Sequence, residues 1–192
     1  MYGGSVWLRR LGRLAATCSA LAVAGGCSDG KSAAREGAWE FNVDTVRSGT
    51  AADARPTAWL RTTGKEGAQG QPPTRAVILS FDCRPDHTGA TIMTEQALRQ
   101  GSVEVEVGLD AERPRRVPGF AGTTPTGGQV VFTMPLDSVV DLVSGHQRAT
   151  IEYADGAGSS RTTAVFPLAG LEVFRERFLA VCAHSGPDSD GR

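Results

Sequence analysis

The chain is poor in the residues that most often carry chemistry. Its 192 residues include three histidines, His87, His146 and His184, and none stands at ligand spacing from another His or Cys. The four cysteines form no CxxC pair, and no GxSxG nucleophile elbow occurs. These gaps argue against a zinc site, a thioredoxin-type redox pair and an α/β-hydrolase. Charge of one sign is also missing: 20 Lys and Arg face 21 Asp and Glu, a formal net charge of −1. Nucleic-acid binding needs Lys and Arg clustered on one face. The one local group, Arg113-Pro114-Arg115-Arg116, reads as a solvated strand edge. The apolar run Leu14 to Gly26 has only thirteen positions, whereas a membrane-spanning helix needs about 20.

What is present begins with an export address. Arg9, Arg10 and Arg13 flank the start of that apolar run, which ends in Ala24-Gly25-Gly26 before Cys27. A basic start, a short apolar middle and small residues at the cut describe a cleaved signal peptide over residues 1–26. The Cys that follows resembles a bacterial lipobox, so lipidation is expected at Cys27. Ala24 stands where a lipobox more often has Leu, which leaves simple secretion as the competing reading. Two or three acyl chains would hold the mature chain to a membrane far more firmly than one. Ser28 after the Cys points to the outer membrane, facing the periplasm, in a double-membraned bacterium. Loss of residues 1–26 removes three of the 20 basic residues and none of the 21 acids, leaving a formal charge of −4. Such a chain has no electrostatic case for a nucleic-acid partner.

The remaining chain reads as residues 27–37, a lipidated Cys and polar tether, then one domain over 38–183 and a Ser, Gly, Pro and Asp-rich tail over 184–192. Alternation of apolar and polar residues dominates the domain. Trp39, Phe41 and Val43 share a face, as do Val77, Leu79, Phe81 and Cys83, and Val103, Val105, Val107 and Leu109. Val130 with Phe132 and Met134, Ala149 with Ile151 and Tyr153, and Ala164 with Phe166 and Leu168 repeat the pattern. Thr63 to Pro73 and Gly119 to Gly128 have loop composition, and Asp155-Gly156-Ala157-Gly158 reads as a hairpin turn. Helical spacing appears twice, over Leu136 to Ser144 with Gly145 as stop, and over Leu171 to Ala183. The expected fold is mainly β: a sandwich of about seven antiparallel strands with a short helix and a closing C-terminal helix.

Two cysteines remain in the folded part. Cys83 shares the apolar face of its strand, and Cys182 lies with Leu171, Phe174, Phe178 and Val181 on one face of the last helix. Both therefore point to the core, and in an oxidising compartment they are expected to bridge. A metal-binding or reactive pair is the rival reading, but neither Cys opens a helix that would lower its pKa.

The segment Phe166 to Cys182, F-P-L-A-G-L-E-V-F-R-E-R-F-L-A-V-C, resembles the end of the VasI-like family of exported proteins associated with type VI secretion, in its F-x-L-x-G-L, helix, Cys order. Trp39 opening a strand, Cys83 ending one and Leu109-Asp110 ending another extend the resemblance over most of residues 38–183. The chain departs from that family in lacking a Trp within Val117-Pro118-Gly119-Phe120 and in spreading Asp44, Ser48 and Asp53 apart. The resemblance implies an accessory envelope protein and no particular chemistry.

Catalytic, cofactor and metal sites are all read as none. Asp82, Asp86 and His87 surround Cys83 but read as a polar turn, and Asp137 and Asp141, four apart on a helix, read as a dipole partner and a solvated acid. Ser28-Asp29-Gly30-Lys31 has SxxK spacing inside a tether. Gly64-Lys65-Glu66 lacks the Ser or Thr of a phosphate loop. The expected function is a non-enzymatic, membrane-tethered module that binds an envelope protein partner. The alternative is a periplasmic binding module for a small ligand or cell-wall fragment, with Trp39 and Trp59 as its available indoles.

Overall fold

The computed structural model describes residues 32–47, 54–84, 87–154 and 160–185. In chain order the elements are β1 (Ser32–Glu36), β2 (Trp39–Arg47), β3 (Ala54–Ala68), β4 (Arg75–Cys83), β5 (Thr88–Thr94), β6 (Gly101–Leu109), β7 (Arg115–Thr124) and β8 (Gly127–Phe132). Then come α1 (Leu136–Val143), β9 (Arg148–Ala154), β10 (Arg161–Pro167) and α2 (Leu171–Ser185). The segment 1–26, Cys27 and the residues through Lys31 lie outside the described residues, as does most of the expected tail.

The architecture is a closed eight-stranded antiparallel β-barrel, not the expected sandwich. Its strands run β3-β10-β9-β6-β7-β8-β5-β4, and pairing of β4 back onto β3 closes the ring. The fifteen-residue β3 makes closure possible. On one side it pairs β4 from Ala58 to Glu66. On the other it pairs β2 from Ala54 to Thr62 and then β10 from Lys65 to Ala68. At the fork sits Gly64, where a Cβ would come within 2.3 Å of the Val165 carbonyl oxygen and 2.6 Å of the Phe166 ring. Only a missing side chain lets β10 come this close. Strands β1 and β2 thus form a two-stranded wing on the barrel's long strand.

Period-two alternation sends one row of each strand inward. Leu60, Leu79, Phe81, Ile92, Val105, Val107, Val130 and Ile151 are all buried in one continuous core. Four segments differ from expectation, each for a physical reason. Ser32–Glu36, read as tether, is strand β1, which pairs with β2 at the edge of the wing and packs Ala34 against the core. Thr63–Ala68, read as loop, continues β3, its glycines serving close approach. Thr88–Thr94 is too short and too polar to show a pattern, yet forms β5 between β4 and β8. Most of Gly119–Gly128 belongs to β7 and β8, and Gly119 is small because Val105 and Val130 press on it from either side.

The helices form where helical spacing predicts them. Pro135 sets the non-helical dihedrals before α1, which buries Leu136, Val139, Val140 and Val143. Helix α2 lays Phe174 and Phe178 on Phe41 of β2 and Phe81 of β4, with ring centroids 5.4–6.5 Å apart. A disulfide joins Cys83, fully buried at the end of β4, to Cys182 of α2, with Cα atoms 5.4 Å apart. The Asp155–Gly158 turn lies outside the described residues, and the strands it joins, β9 and β10, do pair antiparallel.

The bridge encloses a loop of 99 residues. Replacing Cys83 and Cys182 together by Ala is expected to cost about 2–5 kcal/mol of unfolding free energy, the usual range for removing a native disulfide. Urea denaturation of the oxidised protein and the double variant measures it, and a difference below about 1 kcal/mol would contradict the bridge's structural role.

Candidate functional site

Among the described residues, polar side chains cluster inside the barrel, at its capped end and on its outer wall. Inside, Glu66 of β3 is completely buried. Its carboxylate accepts from Thr94 Oγ1 at 2.5 Å and from Tyr153 Oη at 2.6 Å, and Arg75 Nε lies 3.7 Å away. A buried carboxylate is tolerable only when hydrogen-bonded and paired, and here each oxygen has a hydroxyl donor. Burial, then the hydrogen bond and charge of Glu66, push the Tyr153 phenol well above its ordinary pKa. Tyr153 is thus held as a neutral donor. Alternation places Glu66 in the inward row of β3 with Leu60 and Thr62, and an acid in that phase was the signal that the loop reading of Thr63–Pro73 concealed.

At the capped end, the positions that carry the resemblance converge. Trp39 Nε1 donates to the Leu168 carbonyl at 3.0 Å, and its indole stacks on Phe81 at 5.5 Å. The β1–β2 turn crosses the Leu168–Leu171 bend so tightly that a Cβ on Gly37 would lie 2.8 Å from Ala169 O, and one on Gly170 2.8 Å from Glu36 O. Both glycines have positive φ. Asp110, also at positive φ (48°), folds its carboxylate onto the N–H groups of Gln147 and Arg148 at 2.9–3.3 Å and faces His146 Nδ1 at 3.1 Å. Desolvation, the largest single contribution, raises its pKa, but the bonds from His146, Arg148 and Gln147 and the charge of His146 together outweigh it and lower the pKa. These residues pin loops to the barrel, and none points into a shared cleft.

The outer wall has two characters. On β6, β7, β9 and β10, Arg116 reaches Glu104 and Glu106 at 3.4 Å, and Arg161 reaches Glu106 and Glu152 at 3.6–3.7 Å. The expected basic group is therefore a strand surface matched by acids. Around the ring on β7, β8, β5 and β4, cross-strand register places Phe120 beside Val131, Val131 beside Thr91, and Met93 beside Ile78. Ile78, Met93, Val131 and Phe120 alternate on this side with Ser80, Thr91 and Gln129. Phe120 is 39 % exposed, and Ile78, Met93 and Val131 are half-buried although they face outward.

Other residues singled out in the sequence have structural partners. Asp82 accepts from Ser80 Oγ at 2.5 Å, from Arg61 at 3.3 Å and from Arg84 at 3.4 Å, while Arg61 also lies over the Trp59 ring at 4.6 Å. The carboxylate beside Cys83 is thus neutralised by two guanidinium groups. His87 is exposed in the following turn, and Asp86 lies outside the described residues. Asp137 accepts the Ser138 N–H at 2.7 Å, whereas Asp141 pairs with Arg175 of α2 and so ties the helices together. Cys27 and the SxxK segment Ser28–Lys31 lie outside the described residues. Among the described residues, no group of three His, Cys, Asp or Glu could hold a metal ion, and no helix is long and apolar enough to cross a membrane.

One concavity adjoins the disulfide. A groove of about 430 Å³ is lined by Thr88, Leu136, Asp137, Leu179, Cys182 and Ala183. It lies between the start of α1 and the end of α2. Comparison of the chain with protein-family models, with curated proteins and with solved structures finds no match.

Two variants test this account. Tyr153→Phe leaves one oxygen of a fully buried carboxylate without its hydroxyl donor and should destabilise by about 1–3 kcal/mol in urea melts. A change below about 0.5 kcal/mol would show that Glu66 finds another donor. For Asp110 the folded pKa is depressed, so its contribution is fully present above the unfolded value and disappears as pH falls through the folded one. Asp110→Asn should therefore be less stable than the parent at pH 7, with the gap shrinking from about pH 4 downward. A gap that stays constant to pH 2 would contradict the lowered pKa.

Proposed function

We propose that this chain is a non-catalytic, lipid-anchored envelope protein that presents its barrel wall to an envelope protein partner. The observation that carries the reading is the row of outward apolar side chains, Ile78, Met93, Val131 and Phe120, on β4, β5, β8 and β7, opposite a wall where Arg116 and Arg161 are paired with Glu104, Glu106 and Glu152. An outward Phe120 beside Val131 costs solubility and adds nothing to the core. Such a patch on a soluble surface most often marks an interaction site.

The interior supports the same reading. Its space is filled by side chains, and its polar groups are satisfied by one another, so Glu66, Tyr153 and Thr94 serve the fold. A small-ligand module would instead present a concavity with converging polar groups. The groove near Cys182 is mainly apolar. The export signal and Cys27 supply the address, and the resemblance of Phe166–Cys182 to the VasI-like family makes type VI secretion the first machinery to test.

Chemical cross-linking on intact cells, followed by purification of the full chain, tests the proposal. A specific envelope protein should be captured by the parent and at least about tenfold less by Phe120→Glu, as expected when a central apolar anchor is lost from an interface. Equal capture by the two proteins would rule out this wall as the docking face. The Phe120 side chain is exposed, so the variant is expected to fold, which its unfolding transition verifies.

A further inference from the structure

The groove beside the disulfide lies within the span of the segment that would carry the anchor. Cys27 is five residues before Ser32, the first residue of β1. Ser32 pairs with Val43, Val43 with Ala58, Ala58 with Cys83 and Cys83 with Thr88. One cross-strand row therefore runs from the start of β1 to Thr88, which lines the groove. Its four steps of about 4.8 Å amount to about 19 Å. Five extended residues reach about 17 Å. Five residues are therefore long enough to bring an acyl chain on Cys27 to within a few ångströms of the groove.

We propose that the groove lined by Leu136, Leu179, Cys182 and Ala183 takes one acyl chain carried by Cys27 of the same molecule. The proposal rests on the reading of Cys27 as lipidated. Reach selects this concavity over the groove around Ala76 and Met93. The groove around Ala76 and Met93 lies seven residues back along β4 from Cys83, about 23 Å along the strand as well as across the wing. The lining is chemically suited, with two leucines, the bridged Cys182 and Ala183, and its 430 Å³ falls within the usual range for small apolar ligands. Asp137 and Thr88 supply a polar rim where the linkage to the chain would leave the groove. The body would then sit with the α2 end toward the membrane, sharing its anchor's chains between bilayer and protein.

The test uses the full chain, expressed in a bacterium that processes lipoproteins and is fed a fatty acid with a terminal diazirine. Mass spectrometry of the purified protein first reports whether Cys27 is acylated. An unmodified Cys27 would overturn both the anchor and the groove. With acylation present, irradiation should cross-link the acyl chain to α2 peptides containing Leu179 or Cys182, within one molecule. Ala183→Trp, a substitution at an exposed groove position, should lower that yield roughly tenfold, equivalent to about two methylene groups no longer buried. Acylated protein cross-linked only to membrane lipids, only to other copies of the chain or only elsewhere on its own surface would overturn the groove while leaving the anchor intact.

Discussion

Strand β3 is the constraint on which the other elements depend. It is hydrogen-bonded to β4 along one side and, in turn, to β2 and β10 along the other. A strand shared in this way closes the barrel and carries the wing at once. Closure satisfies the backbone of eight strands without leaving a sheet edge, and the wing then offers Phe41 as the bed for α2. The fork requires a residue without a side chain at Gly64. A methyl group there would push β10 away and open the ring where it is held by only four residue pairs.

The capped end shows how local chemistry enforces a remote closure. Trp39 fills space against Phe81 and spends its only donor on Leu168, so one residue joins the first long strand, the fourth and the loop before the last helix. The glycine crossing and the disulfide act on the same junction from either side. Inside the opposite part of the barrel, Glu66 does the comparable work through Tyr153 and Thr94, with polar bonds in place of rings. Polar networks in a low-dielectric interior are stable only when complete. In the Glu66 network both carboxylate oxygens have a donor, so this acid and the hydroxyls of Thr94 and Tyr153 are occupied in holding strands together.

Much of this was legible in the residues, and the failures have definite causes. Arg75–Cys83 and Val103–Leu109 announce themselves because large side chains alternate with polar ones, and both helices because their apolar residues fall at helical spacing. The bridge followed from the phase of Cys83 and Cys182. Barrel and sandwich are indistinguishable at that level, since each asks for one buried face per strand, and the pairing of Glu66 with Arg75 that helps close the ring leaves no trace in alternation. Small residues misled most. Gly64, Gly67 and Gly119 look like loop punctuation, yet they stand in strands because a neighbouring backbone or valine occupies the space of their side chains. Glu66 was hidden for the same reason, its inward phase invisible once its surroundings were read as a loop.

The spacing of the two sulfurs also orders events in time. All six strands from β5 to β10, and both helices, are encoded between Cys83 and the end of α2. The native bridge cannot close before that whole stretch has been synthesised. During that interval the N-terminal strands wait with a buried-type thiol and a row of aromatic rings still uncovered. Shielding this half-made body, rather than stabilising the finished one, is the burden that two cysteines 99 positions apart place on the cell that makes the chain.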